Sequence, residues 1–375
     1  MLVKLGDAFT IGSGGTPSKQ HPEYYGGNIP WVKTGDLGEQ YIYSVDECIT
    51  EEGLKNSSAR LYAPDTVLVA MYGATIGAAS ILKISACTNQ ACAAFLSNNE
   101  VIPEYLYYFL LSKKQRFVQD GVGGAQPNIS ATYLKGVLFP LRIYEEQRAI
   151  VEKLSCVTEI INQRKRQLHV LDQFIKARFV EMFGLYPDNP MGWRTGVIRD
   201  VVSDVRYGSS RPAVEGGRYP YLRMNNITYG GELDLTDTKR IDVPENELDK
   251  CTVRRGDVLF NRTNSKELVG KTCVYNRDEM MVLAGFVIRV RLNDIMLPEF
   301  LSAFLNTDFS KQMLLGMCKA AIGQANINAQ EMQGIGLYLP PIELQKEYVA
   351  FKAQVDKSKV VDLSVFTNRA KSYII

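Results

Sequence analysis

Apolar and polar positions along the chain follow one plan twice. A polar, Gly-rich opening (Ser13 to Ser18) runs into Ile29-Pro30-Trp31-Val32-Lys33. About 190 residues later Gly208-Ser209-Ser210-Arg211-Pro212 runs into Tyr219-Pro220-Tyr221-Leu222-Arg223. In each half an apolar run follows an acidic turn, Pro64 to Leu82 and Gly256 to Tyr275. Their β-branched alternation and punctuating glycines predict strands joined by turns. Pro-Glu then opens an apolar-periodic segment in each half, Pro103 to Val118 and Pro298 to Leu315. Proline suits a first helical turn, so each segment predicts one amphipathic helix. A polar loop follows (Gly123 to Ser130, Ile322 to Ala329), then a short strand ending in proline, "VLFPL" or "GLYLPP". Both halves close on an acid-plus-Gln step, Glu145-Glu146-Gln147 and Glu343-Leu344-Gln345, into a charged helix.

The first closing helix is long. Ile150, Leu154, Val157, Ile161, Arg164, Leu168, Leu171, Ile175, Arg178 and Met182 alternate in steps of four and three. That spacing is a heptad seam, interrupted by two arginines. From about Tyr144 to Phe183 such a helix reaches roughly 60 Å at 1.5 Å per residue. So narrow a seam cannot bury itself within a globule and needs a partner helix, most simply the one in the second half. There Leu344, Tyr348, Phe351 and Val355 share one side before the pattern fades. The two seam arginines predict a partner that ends early or offers a carboxylate. The reading is an α+β chain of two β-rich domains in pseudo-repeat, each followed by a helix, the helices pairing as an antiparallel coiled coil. Its boundaries are 1–143, 144–184, 185–341 and 342–375.

Composition narrows the function. The length of 375 residues allows two or three cores, and 46% hydrophobic with 22% charged residues is ordinary for a globular protein. A formal net charge of +2 does not announce a nucleic-acid binder, but binding depends on local patches rather than on the total. No apolar run approaches the ~18 residues needed to span a bilayer, and "MLVKLGDAF" lacks the features of a signal peptide. Seven cysteines include no C-x-x-C pair, which fits reduced thiols in a cytoplasm better than disulfides or zinc. With only two histidines, His21 and His169, a histidine cluster is almost excluded.

Catalytic motifs are missing. Leu268-Val269-Gly270-Lys271-Thr272 imitates a phosphate loop but lacks its first glycine, and the sequence after it is not helical. The glycines of "GSGGTPS" precede Pro17, which breaks any helix start, and "GATIGAAS" has no lysine. Carboxylate pairs such as Glu51-Glu52 sit in contexts suited to helix starts. No Ser-His-Asp set, metal triad, nuclease set or methyltransferase signature assembles, so the chain reads as a binder without cofactor or metal.

The polar loops are more informative. In the second half Asn261, Arg262, Thr263, Asn264, Ser265 and Lys266 run together, with Arg206, Tyr207, Arg211, Arg223, Asn225 and Asn226 at other stations of the plan. Such side chains donate to phosphates, and Arg and Asn can also pair with guanine or adenine edges. The first-half set is Thr16, Ser18, Lys19, Lys33, Thr34, Tyr72, Thr75, Asn89 and Gln90, with Lys113, Lys114 and Arg116 at a helix end. Any one of these taken singly is more at home in a loop that binds nothing; the repetition of the set in equivalent places shifts the balance toward recognition. Tyr24, Tyr25, Trp31, Tyr219 and Tyr221 read as loop anchors rather than base-stacking platforms.

"GGTPSKQHPEYYGGNIPWVKTGDL", the repeated Pro-plus-Gln approach to a helix, "NRTNSKELVGKT" and the internal repeat together resemble the DNA-specificity subunit of type I restriction-modification systems, over almost the whole chain. The resemblance implies two target-recognition domains, each reading half of a split asymmetric DNA site. It implies spacer helices that dock two methyltransferase subunits, and a restriction subunit with translocase activity that can join. S-adenosylmethionine, ATP and Mg then belong to the partners. In that family the second spacer helix ends much as "FVEMFG" (Phe179 to Gly184) ends the first. The sequence after about Lys359 departs from that ending and predicts a shortened or atypical second spacer. Two alternatives are a fused enzyme, disfavoured by the missing motifs, and a non-catalytic scaffold joining two domains that bind another polymer or protein. Salt-dependent binding to duplex DNA separates the scaffold from the DNA reader.

Overall fold

A computed structural model describes residues 1–121, 128–318 and 325–359. They form two compact units that divide within the long helix, after Lys165. Gly123 to Pro127, Ile322 to Gln324 and everything after Lys359 lie outside the described residues, and with them parts of both polar loops and the atypical second-spacer ending.

In the first unit Ile11–Ser13, Cys92–Phe95, Val67–Ala70, Ala79–Leu82 and Tyr41–Ile42 lie side by side in one sheet. A second sheet orders Cys48–Ile49, Tyr25–Val32, Ala86–Thr88 and Leu61–Tyr62, with Trp31 parallel to Cys87. The second unit repeats this. One sheet orders Val202–Tyr207, Val287–Leu292, Val258–Asn261 and Thr272–Val274; the other orders Lys239–Ile241, Tyr219–Leu222, Met281–Leu283 and Thr252–Val253. There Tyr221 runs parallel to Val282, as Trp31 does to Cys87. Each unit also pairs its first strand with the Pro-ended strand, Leu2–Lys4 with Leu138–Pro140 and Arg194–Val197 with Gly336–Leu339.

The apolar runs are buried on both faces because successive side chains of a strand point opposite ways. Val67 and Val69 enter the core shared with the Pro103–Asp120 helix, while Leu68 and Ala70 enter a separate one. In the second unit Val258 and Phe260 enter the helix-side core, and Leu259 enters the other. The predicted helix from Pro298 to Leu315 is instead two, Pro298–Leu305 and Asp308–Met317. Thr307 breaks it by accepting the Ser310 amide at 3.2 Å as an N-cap. The Asn306 amide binds the Ser302 and Thr272 carbonyls, both at 2.8 Å.

The long helix spans Tyr144–Phe183, the predicted range. Its seam is half-buried or buried throughout, whereas Lys153, Asn162 and Gln173 face solvent. Ile150 and Leu154 join the first unit's core; Leu171, Ile175 and Met182 join the second unit's. Val157, Ile161, Arg164 and Leu168, between them, are half-buried. Gly184, at φ +80, supplies the left-handed residue that stops the helix. Within the second unit the Ile342–Lys359 helix runs antiparallel to this one. Arg178 meets Glu347 at 3.3 Å, Phe174 meets Phe351 with ring centroids 5.2 Å apart, and Asp172 meets Lys359 at 2.6 Å. Arg178 thus has the carboxylate that its seam position predicts. All seven cysteines are free thiols, and among the described residues no helix is long and apolar enough to cross a membrane.

Candidate nucleic-acid interface

The anchors act as the aromatic pattern predicts. Trp31 donates its indole N–H to the Gly15 carbonyl at 3.0 Å, and the Tyr25 hydroxyl donates to Pro17 at 2.5 Å. In the second unit the Tyr221 hydroxyl reaches the carbonyls of Ser209 and Arg211 at 3.3 and 3.1 Å. Each pulls a Gly-containing strap onto the sheet, where Gly15 N donates to Thr88 O and Ser209 N to Leu283 O. The strap presents Thr16, Ser18 and Lys19 in one unit and Arg211 in the other. Ser18 and Lys19 are exposed. Thr16 is bonded to Gln90, and Asn89 is folded into a turn, accepting the Ala91 amide at 3.2 Å.

The stretches after the anchors form the same tight turn. Lys33 N donates to the Asp36 carboxylate at 2.7 Å, and Arg223 N to the Asn226 side-chain oxygen at 2.8 Å. Asn226 is 2% exposed, and its amide group also binds the Asp234 and Asp237 carbonyls at 2.8 and 3.1 Å. It holds its own loop together. The side chains left to face outward are Lys33 and Thr34 in one unit, Arg223 and Asn225 in the other.

A third station follows the central strand. Tyr72 bridges to Asn128, and Thr263 pairs with Asn326, joining their side chains at 3.0 Å. Ile129 N binds Met71 O at 3.0 Å, as Ile327 N binds Arg262 O at 2.9 Å. Met71 and Arg262 are therefore equivalent positions with different chemistry. Thr75 sits in a short turn next to exposed Tyr72, donating to its carbonyl at 3.4 Å. Asn261 is fully buried with its amide nitrogen lacking a hydrogen-bond partner, while Asn264 is half-buried and Ser265 and Lys266 are exposed. The Arg262 guanidinium lies 4.8 Å from the Tyr207 ring centre, with its Nε buried and unbonded. Tyr207 is fixed in turn by accepting the Ala329 amide at 2.9 Å.

Most candidate cations already face a carboxylate. Arg206 meets Asp204 at 2.9 Å, Arg211 grips Glu247 through two nitrogens, Arg223 meets Asp237 at 2.8 Å, and Lys33 pairs with Glu47. Exposed pairs of this kind contribute roughly 0–1 kcal/mol, so a phosphate can displace the carboxylate at little cost. Asp204 is also held by buried Arg289 at 2.8 Å, a partner far away in sequence. Burial acts to raise the Asp204 carboxyl; the Arg289 hydrogen bond and the charges of Arg206 and Arg289 outweigh it and hold it below the usual range.

Lys271, in the phosphate-loop look-alike, is buried and donates to the Met224 carbonyl at 2.8 Å, and a strand rather than a helix follows it. Lys311 lies nearby, 5.0 Å from the Tyr229 ring centre and 3.4 Å from the Gly270 carbonyl. Burial, with repulsion from Lys176 and Lys271, pushes its ammonium down to about 8. Its folded affinity for protons is lower than its unfolded one, so it penalises the fold below about pH 8 and the penalty is relieved as pH rises toward 10.5. We expect Lys311→Met to raise the melting temperature at pH 7 and to lose that advantage by pH 10, read by thermal unfolding across the series.

Among the described residues no group of three His, Cys, Asp or Glu side chains is placed to hold a metal ion. Comparison with known proteins agrees with the doubled architecture. The Type I restriction modification DNA specificity domain matches twice, over residues 1–170 and 191–361. The MjaIX specificity subunit of Methanocaldococcus jannaschii is 30% identical over 63% of this chain and 60% of its own length. The EcoKI specificity subunit of Escherichia coli is 21% identical over 86% of this chain and 74% of its own. This chain thus spans less than two thirds of the MjaIX subunit. A solved chain of a type I R-M system shares the fold at a TM-score of 0.56 and 19% identity, covering 100% of this chain and 96% of that one. The S subunit from M. genitalium does so at 0.50 and 14%, covering 100% and 94%. With the domain matched twice over most of its length, the chain belongs to the type I restriction modification DNA specificity family.

Proposed function

We propose that each unit reads one half of a bipartite, asymmetric duplex site, and that the Tyr144–Phe183 and Ile342–Lys359 helices space the two readers. The observation that supports this most is one frame carrying different side chains. Lys33-Thr34-Gly35 stands where Arg223-Met224-Asn225 stands, and Ala70-Met71-Tyr72 where Asn261-Arg262-Thr263 stands. A frame that is kept while its outward residues change suits two modules that read different sequences. The helices also offer surfaces for two methyltransferase subunits, to which a restriction and translocase subunit can add. In this reading S-adenosylmethionine, ATP and Mg are bound by those partners and not by this chain, and the complex works in the cytoplasm. Thr16, Ser18, Lys19, Lys33, Thr34, Tyr72 and Thr75 in one unit, and Arg206, Arg211, Arg223, Asn225, Arg262 and Lys266 in the other, are the proposed DNA-facing set.

Arg262 is the sharpest member, because stacking on Tyr207 orients its guanidinium before any ligand arrives. Arg262→Ala is expected to cost about 1–3 kcal/mol of discrimination at one half-site and to leave the other unchanged. Sequencing methylated bases in DNA from cells carrying this chain with its methyltransferase partner reads the result. An unchanged methylation pattern removes Arg262 from the interface.

A further inference from the structure

Two glutamines are built into the fold in the same way. Gln147 and Gln345 are both 0% exposed, each in the first turns of the helix that closes its unit. The Gln147 oxygen accepts the Ile102 amide at 2.9 Å, and its NH2 group donates to the Glu100 and Arg142 carbonyls at 2.8 and 2.9 Å. The Gln345 oxygen accepts the Leu297 amide at 2.9 Å, and its NH2 group donates to the Ile295 and Pro340 carbonyls at 3.1 and 2.9 Å. Ile102 and Leu297 each immediately precede the proline that opens the core-packing helix. One side chain therefore ties the start of the closing helix, the chain just before it and the start of the core-packing helix. Only a primary amide offers one acceptor and two donors in a single plane, so neither Glu nor Met can replace all three bonds.

The attachment is short relative to what it holds. Beyond Gln147 the long helix meets the first unit's core through Ile150, Val151 and Leu154, and through Ser155, whose hydroxyl lies 3.2 Å from that of Tyr108. From Gln147 to Phe183 the helix continues for about 54 Å. A 5° change in its angle at the base moves its far end about 5 Å, more than one base-pair rise of about 3.4 Å. We infer that Gln147 and Gln345 are positioning residues: Gln147 fixes the angle at which the long helix leaves the first unit's core, Gln345 fixes the Ile342–Lys359 helix against which the long helix seats in the second unit, and through these they set the number of base pairs permitted between the two half-sites. This rests on the bipartite DNA reading above.

The test maps methylated sites in DNA from cells carrying the full chain with its methyltransferase partner, as wild type, Gln147→Met, Gln345→Met and Val69→Ala. Val69 is a fully buried sheet residue remote in sequence from both glutamines and serves as a purely destabilising control. The glutamine variants are expected to keep both half-site sequences but to raise methylation at sites one base pair longer or shorter by about tenfold, the factor corresponding to one lost buried hydrogen bond. Val69→Ala should lower methylation at every site without changing the gap. Gap distributions in the glutamine variants no broader than in Val69→Ala overturn the inference. So does a failure of Gln147→Met, and of Gln147→Glu, which keeps the Ile102 bond, to assemble where Val69→Ala assembles: the residue is then a folding element only. A wild-type pattern with no two-part site refutes the DNA reading itself, and the inference with it.

Discussion

Gly208→Ala is expected to destabilise the second unit by about 3 kcal/mol, and Gly14→Ala the first by a similar amount. A Cβ at Gly208 would stand 2.1 Å from the Leu283 carbonyl oxygen and 2.4 Å from that of Ala284. At Gly14 it would stand 1.8 Å from the Thr88 oxygen. These neighbours are strand backbone and cannot swing away, so the strap must lift from the sheet. Lifting stretches the Ser209–Leu283 and Gly15–Thr88 hydrogen bonds and misplaces the residues the strap carries, Arg211 in one unit and Thr16 to Lys19 in the other. Hydrogen exchange should show the loss in the Met281–Leu283 strand for Gly208→Ala and in Ala86–Thr88 for Gly14→Ala. Gly35→Ala is the control: nothing lies within 4 Å of its added carbon, and it should leave protection unchanged. Normal protection in Gly208→Ala would show that the strap does not need its close approach.

Phe183→Ala should be as damaging, by about 3–5 kcal/mol. Phe183 is fully buried at the end of the long helix, with ring centroids 5.0 Å from Phe179, 4.8 Å from Phe300 and 5.8 Å from Tyr348. Three helices meet there, and a cavity the size of a phenyl ring cannot be closed without moving one of them. The Ile342–Lys359 helix is the natural one to yield, because Tyr348 and Val355 are its buried apolar anchors. Thermal unfolding should fall, and amides around Tyr348 should lose protection before those in the first unit. Equal loss in both units would contradict this local account. Phe183→Leu, which refills part of the space, should recover more than half of the loss.

Local order was legible wherever it depends on a residue and its near neighbours. Heptad spacing placed the long helix from Tyr144 to Phe183, and alternation placed the central strands at Val67 and Val258. Proline and glycine marked where helices open and where Gly184 stops one. The break at Thr307 was also written locally, since Thr followed by Asp is a favourable helix start, but the apolar spacing running through it concealed the signal. The candidate site was legible as a set of stations and not as individual roles. Asn225 and Asn226 look alike in sequence, yet the first is exposed and the second is buried with its amide bound on both sides. Gln147 and Gln345 stood out only as a repeated letter, because the amide and carbonyls that give them a role lie up to 50 residues away.

The sequence by itself determined the doubling of one domain plan, the long helix and its seam, and the polar stations where the two copies diverge. Propensity, periodicity and turn chemistry act over a few residues, so they are readable without the fold. Only the tertiary structure decided which polar residues are frame and which face outward, which acids answer Arg178, Arg206, Arg211 and Arg223, and that one buried glutamine ties each spacer helix to its unit. Those outcomes depend on groups that chain closure brings together from distant positions, and on whether a polar atom that has lost water finds a partner there.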